Sequence, residues 1–264
     1  MSKKIAIIGA GNLGTAIATG LTKTGYIKAT DITITRRNLK ALDEFERKGF
    51  VVTSNNETAS KNADMVILAV KPFQVKEVLT EITGSITSKT ILISVVTGIS
   101  MEEIESIIGK KSIVFRAMPN TAIAIAESMT CISSNDVNES ATQEVKSLFE
   151  CLGQVTFINE NLMNAATVLG ACGTAFAMRF IRANIQGGIE IGFDSKTASL
   201  IAAQTVKGAA ELLLQNGTHP EQEIDKVTTP KGCTIAGLNE MEHRGFSSSL
   251  IKGIATSYHK IEKG

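Results

Sequence analysis

The chain has 264 residues, with 27 Lys and Arg against 26 Asp and Glu for a formal charge of +1, and it is 43 % hydrophobic and 20 % charged. The near-neutral balance argues against nucleic acid as the main partner, because phosphate binding needs a basic surplus on one face, and this hydrophobicity excludes a disordered chain. Three His and no Trp leave little material for imidazole chemistry or aromatic stacking, and Cys131, Cys151, Cys172 and Cys233 form no C-x-x-C pair. No metal site or disulfide framework is therefore expected, and free thiols fit a cytoplasmic protein.

Met1-Ser-Lys-Lys leads directly into Ile5-Ala-Ile-Ile-Gly9, and no targeting segment is expected before the first element. Short apolar runs then alternate with amphipathic stretches, the pattern of βα units around a parallel sheet. Strands are predicted at Lys4–Ile8, Ile32–Thr35, Met65–Val70, Thr90–Val95 and Ile113–Met118, with a short one at Val51–Val52 after the Asn38–Gly49 unit. Strands apolar on both faces belong inside a sheet covered by helices. Weaker strands at Thr130–Ser133 and Gln154–Ile158 flank a helix at Glu139–Leu152.

Beyond Asn161 the spacing is helical throughout, over Leu162–Asn184, Ser195–Gln215, Thr234–His243 and Ser247–Ile261. The expected fold class is thus α/β, a doubly wound domain over residues 1–160 followed by an all-helical domain over 161–264. The uncharged stretch Asn161–Met178 nears membrane-spanning length, but Asn161, Asn164, Gly170 and Gly173 make it a buried helix instead. Ala165–Met178 and Ala198–Val206 are apolar around most of their circumference and need cover on all sides. A second copy of the chain is expected to supply part of it.

Gly9-Ala-Gly11-Asn12-Leu13-Gly14 follows a predicted strand, Ile8 included, and opens an amphipathic helix. In that context the first glycine permits the tight turn, the second admits a pyrophosphate and the third lets helix and strand pack. The helix N-terminus then faces the phosphates. Where Asp or Glu would bind a ribose 2′-hydroxyl, the chain has Thr35-Arg36-Arg37, which suits a 2′-phosphate. NADP(H) is therefore expected to be preferred, with NAD(H) possible. Ala69-Val70-Lys71-Pro72 and Ser94–Gly98, with Val96 and Gly98, lie at C-terminal strand ends where open α/β sheets bind ligands, and Asn56 and Met118–Thr121, with Asn120, occupy similar edges. Lys71 there is a general acid, a phosphate partner or a solvated loop residue, and position alone does not choose. Val227–Gly237 is a hydroxyl-rich turn into a helix, in which free amides at Cys233 and Thr234 either take a small carboxylate or belong to helix capping alone.

Nearly the whole chain resembles the pyrroline-5-carboxylate reductase family, through Ile7–Asn12, Ala69–Pro72, Arg116–Thr121, Ala202–Val206, Gly245–Ile254 and above all Val227–Gly237. The resemblance implies a Rossmann domain followed by a helical domain interlocked with its partner in a homodimer, assembled in some members into a decameric ring. It implies an oxidoreductase of proline biosynthesis that reduces a cyclic imine with NAD(P)H. By the same resemblance Thr229, Gly232, Cys233 and Thr234 hold the substrate carboxylate, with the Thr234 hydroxyl as the catalytic contact to the ring nitrogen. The chain departs from the family pattern at Gly170–Phe176, at Ala122, at Thr229 in place of serine and at Lys231 in place of glycine.

A protonated imine is already electrophilic, so orientation under the nicotinamide and hydrogen bonding to nitrogen are the protein's main tasks. His219, His243 and His259 lie in a turn and in polar C-terminal stretches and are read as structural. Two alternatives stand beside this reading. One is the reduction of another imine, or a hydroxy-acid dehydrogenase, which would carry a lysine on the interdomain helix where Leu162–Phe180 has none. A catalytically degenerate nucleotide-binding relative finds support in the altered Gly170–Phe176 and Lys231 motifs.

Overall fold

The computed structural model describes residues 3–109, 112–134 and 138–262. Among these residues eight strands form one sheet in the order β3-β2-β1-β4-β5-β6-β7-β8. They are β1 (Ile5–Ile8), β2 (Ile32–Thr35), β3 (Val51–Thr53), β4 (Met65–Leu68), β5 (Ile91–Ser94), β6 (Ile113–Met118), β7 (Ser128–Ser134) and β8 (Gly153–Phe157). β1 to β6 run parallel, while β7 lies antiparallel to β6 and parallel to β8. The order reverses between β1 and β4, which pair in register from Ile5 with Met65 to Ile8 with Leu68. Each predicted strand has an observed counterpart, and the fold is the doubly wound class expected.

Alternation along each strand builds two apolar layers. Ile5, Ile7, Ile34, Ile67, Ile93 and Phe115 form one with Ile17 and Leu21 of α1 (Asn12–Lys23). Val145, Leu148 and Phe149 of α6 (Glu139–Glu150) complete it. Ala6, Ile8, Val66, Leu68, Leu92 and Val114 turn the other way. They meet Val78, Leu79 and Ile82 of α4 (Val75–Ile82) and Ile104 of α5 (Met101–Ile108). Two short helices, α2 (Asp43–Arg47) and α3 (Asn56–Ser60), precede and follow β3.

One charged side chain is buried in β6. Arg116 is 6 % exposed and its guanidinium donates to Glu160 Oε1 at 2.9 Å. The same oxygen accepts the Met101 backbone N–H that opens α5, at 2.7 Å. Arg116 Nε has no hydrogen-bond partner among the described residues. The chain leaving the sheet at Glu160 is thus tied back to β6 and α5 by one carboxylate.

The helix predicted over Leu162–Asn184 is not continuous. A single turn, α7 (Met163–Ala166), leads into a π turn over Thr167–Cys172, from which α8 (Gly173–Glu190) continues. Within that turn the Gly170 carbonyl accepts from the Asn120 side-chain amide at 3.4 Å. The chain divides into two compact units, Met1–Cys172 with Lys260–Gly264, and Gly173–His259.

The second unit contains α8, α9 (Ser195–Asn216), α10 (Pro220–Lys226), α11 (Cys233–His243) and α12 (Phe246–Glu262), which runs on into the first unit's last residues. α8 and α9 pack closely where Gly188 meets Ala198, and Phe180 approaches Phe246 at 5.9 Å between ring centroids. Among its described residues only Ala198 and Ala202 are buried. Leu200 is 71 % exposed, Leu214 73 %, Ile191 78 % and Met178 62 %. The interior expected for Asn161–Met178 reaches only Met163, Thr167 and Val168, and Leu169 and Met178 lie open in the single chain.

Candidate active site

The turn from β1 into α1 shows why glycine recurs there. Gly9 has φ +104°, and a Cβ on it would sit 2.6 Å from Ala69 O and 2.9 Å from Val70 Cγ1. A Cβ on Gly14 would run into Gly9 O, whereas nothing lies within 4 Å of one on Gly11. So the first and third glycines are demanded by packing, and the second leaves open space beside the backbone. α1 starts at Gly11 with no side-chain cap, so its first N–H groups remain for an anion.

That open space belongs to a cavity of about 840 Å³ at the C-terminal ends of β1, β2, β4, β5 and β6. Its lining includes Gly9, Gly11, Asn12 and Leu13 of the glycine turn, and Thr35, Arg36 and Arg37 at the end of β2. Asn56, Ala69, Val70, Lys71, Pro72, Val96 and Asn120 also face it. Ile8, Gly14 and Gly98 do not line it: the Ile8 side chain enters the core beside Leu68, Gly14 packs on Gly9, and Gly98 lies in the turn beyond β5. Ser54, Gln74, Glu77, Glu81 and Thr97 line it as well, although the sequence singles none of them out.

The polar groups in this cavity are interlocked. Gly9 N–H donates to Thr35 Oγ1 at 3.2 Å, and the Thr35 hydroxyl donates to Asn56 Oδ1 at 2.7 Å. Asn56 in turn donates to both oxygens of Glu81, from its backbone N–H at 3.3 Å and from Nδ2 at 2.8 Å. Arg36 Nη1 donates to Ala10 O at 3.2 Å, which leaves its remaining donors for a ligand. Arg37 lies 3.4 Å from Glu77, an exposed pair worth little by itself. Glu77 and Glu81 escape a sequence reading because they look like the solvated face of α4, and only the tertiary fold aims them at the end of β2.

The hydroxyl-rich segment forms a turn in the second unit. Gly232 N–H donates to Thr229 O at 2.9 Å across Pro230 and Lys231, and Lys231 has φ +60°. Proline first and a positive φ second are the marks of a type II turn, in which glycine is the usual second residue. A Cβ on Gly232 would lie 2.5 Å from Thr229 Oγ1, so that hydroxyl sits against the start of α11. α11 begins after Gly232 with no side-chain cap and with no acidic residue in its first turn, and Cys233 and Thr234 are exposed there. Thr229, Gly232, Cys233 and Thr234 thus form one local group, separate in the chain from the cavity of the first unit.

Residues 160–263 match the family model described as pyrroline-5-carboxylate reductase dimerisation, and residues 4–98 match that of NADP oxidoreductase, coenzyme F420-dependent. The chain is 48 % identical over 97 % of its length to pyrroline-5-carboxylate reductase 1 of Dictyostelium discoideum, of whose own length it spans about half, 49 %. It is 44 % identical to pyrroline-5-carboxylate reductase 2 of the same organism, covering 99 % of this chain and 93 % of that one. The crystal structure of Plasmodium falciparum pyrroline carboxylate reductase with NADP bound matches with a TM-score of 0.90 at 26 % identity, over 99 % of this chain and 97 % of that one. With its glycine turn, its strand order and this likeness along its whole length, the chain belongs to the pyrroline-5-carboxylate reductase family, oxidoreductases that act on a C=N bond with NAD(P)H.

Proposed function

We propose that the chain reduces the cyclic imine 1-pyrroline-5-carboxylate to L-proline with NADPH, the last step of proline biosynthesis. The observation that carries this reading is the open space at Gly11 between two glycines that packing demands, at the switch of strand order and beside an uncapped helix start. A pyrophosphate meets backbone N–H groups there, and Arg36 and Arg37 take a 2′-phosphate at the end of β2. Residues 1–160 are then the cofactor domain and 161–264 the substrate and dimerisation domain. The cofactor supplies the hydride.

The chain's own residues bind and orient. Free N–H groups of Cys233 and Thr234 and the Thr229 hydroxyl hold the substrate carboxylate at the start of α11. The Thr234 hydroxyl contacts the ring nitrogen, where a proton must be retained as the imine becomes an amine. We place this work in the cytoplasm, in keeping with four cysteines that are free in the structure.

NADPH oxidation with pyrroline-5-carboxylate tests the reading. Turnover is expected, with a lower KM for NADPH than for NADH. Binding of NADPH without turnover, or turnover with keto-acid substrates alone, overturns it. Replacing the reacting-side hydroxyl, Thr234→Val, is expected to lower kcat by about tenfold, since a lost hydrogen bond to the developing amine nitrogen costs about one such factor. Full activity in that variant removes Thr234 from the mechanism.

A further inference from the structure

Glu81 stands at an unfavourable place in its own helix. It lies in the last turn of α4, where the helix dipole disfavours a carboxylate. It is nevertheless drawn toward the neighbouring helix, and both of its oxygens accept from one residue, Asn56, through that residue's backbone and side chain at once. With its backbone N–H and its Nδ2 both on the Glu81 carboxylate, Asn56 is held in one amide orientation. The reversed amide would set a carbonyl oxygen against a carboxylate oxygen at 2.8 Å.

The orientation of that amide decides what happens further in. With Nδ2 on Glu81, Oδ1 faces Thr35 and takes its hydroxyl proton. Thr35 is 2 % exposed, so the proton has no water to turn to. The Thr35 oxygen is then free to accept the N–H of Gly9, the first residue of the glycine turn. The direction of every bond follows from the charge at the outer end. Asn56 still has one N–H and one lone pair to offer a ligand.

We infer that Glu81 is a positioning residue for the dinucleotide, holding Asn56, and through it Thr35 and the Gly9 turn, in the arrangement the cofactor meets. This rests on the reading of the cavity as a dinucleotide site. Glu81 acts on binding of the adenosine half and not on the hydride step, so KM and kcat separate.

The test is a double-variant cycle on the whole chain, read by NADPH titration and by steady-state kinetics. Glu81→Ala raises Kd and KM for NADPH about five- to tenfold, the usual cost of a lost hydrogen bond to a charged group at a half-open site, while kcat at saturating NADPH stays within about twofold. Glu81→Gln keeps one acceptor for Asn56 and loses less. In an Asn56→Ala background, Glu81→Ala adds nothing further. Should Glu81→Ala fail to fold, a Glu81→Gln loss that vanishes in the Asn56→Ala background carries the same weight. Unchanged NADPH affinity in both Glu81 variants, or equal losses with and without Asn56, overturns the role of Glu81 alone. A wild-type chain that binds no NADPH overturns the dinucleotide reading together with it.

Discussion

Arg116 and Lys231 each carry an electrostatic or conformational cost that the rest of the chain must offset. Arg116 is a nearly buried cation whose compensation comes from Glu160, itself partly exposed. Removing the acid leaves the guanidinium without its charge partner and also frees the N–H that opens α5. Glu160→Ala is therefore expected to cost about 2–4 kcal/mol of stability, somewhat less than the roughly 3–5 kcal/mol for stranding one member of a fully buried pair because Glu160 is partly exposed, measured by urea denaturation with an unchanged m-value. A loss below about 0.5 kcal/mol would mean that the pair is a solvated surface contact. Lys231 presents the opposite case, since a side chain occupies φ +60° where the type II turn favours none. Lys231→Gly is expected to stabilise by up to about 1 kcal/mol, less the extra chain entropy that glycine brings to the unfolded state. A destabilised variant would show that the lysine side chain makes compensating contacts.

At the scale of elements, helix ends divide the legible from the illegible. α9 starts at Asp194, whose side chain accepts from the backbone N–H of Lys196 and Thr197. Bonds from Thr197, first its hydroxyl and then its backbone, hold the Asp194 carboxyl below the usual aspartate range. A carboxyl depressed in the folded state stabilises above its unfolded pKa, and that contribution is lost as pH falls through the depressed value. Asp194→Asn keeps a good cap but no charge. The stability gap between wild type and Asp194→Asn is thus expected to be constant near neutrality and to close only at pH below the ordinary aspartate range. A gap that tracks pH between 6 and 8 would contradict this origin.

Such caps are written in local residue types, as are the buried parallel strands, whose unbroken apolar runs at β1 and β4 name themselves. The π turn at Thr167–Cys172 is not written locally. The helical periodicity of Leu162–Asn184 continues through it, and the Asn120 side chain that donates to its Gly170 carbonyl lies fifty residues away in sequence. The same holds for the cavity. Gly9, Gly11 and Arg36 are legible because a motif fixes their spacing, whereas Glu77 and Glu81 reach the end of β2 only because α4 packs on β1 and β4. A solvated charge and a site charge look alike until the sheet order is known.

On the scale of the whole molecule, the two units differ in how they bury apolar surface. The first has two complete apolar layers, one on each face of its sheet. The second exposes Leu200 and Leu214 of α9, Ile191 after α8 and Ile251 of α12. Leu200 and Leu214 are fourteen residues apart, two heptads, and so share one stripe of α9. Water against such a stripe costs roughly 1.5–3 kcal/mol for each fully exposed leucine, and a second copy of the chain is the partner that the dimerisation family match favours. Sedimentation is expected to give at least twice the chain mass of 28.1 kDa at micromolar concentration. Leu200→Asp combined with Leu214→Asp is expected to shift that equilibrium toward monomer, with helix content largely retained because both positions are already exposed in the single chain. NADPH affinity should persist in this variant, since the cavity is lined wholly by residues of the first unit. A wild-type chain that sediments as a stable monomer would mean that the exposed stripe has another occupant.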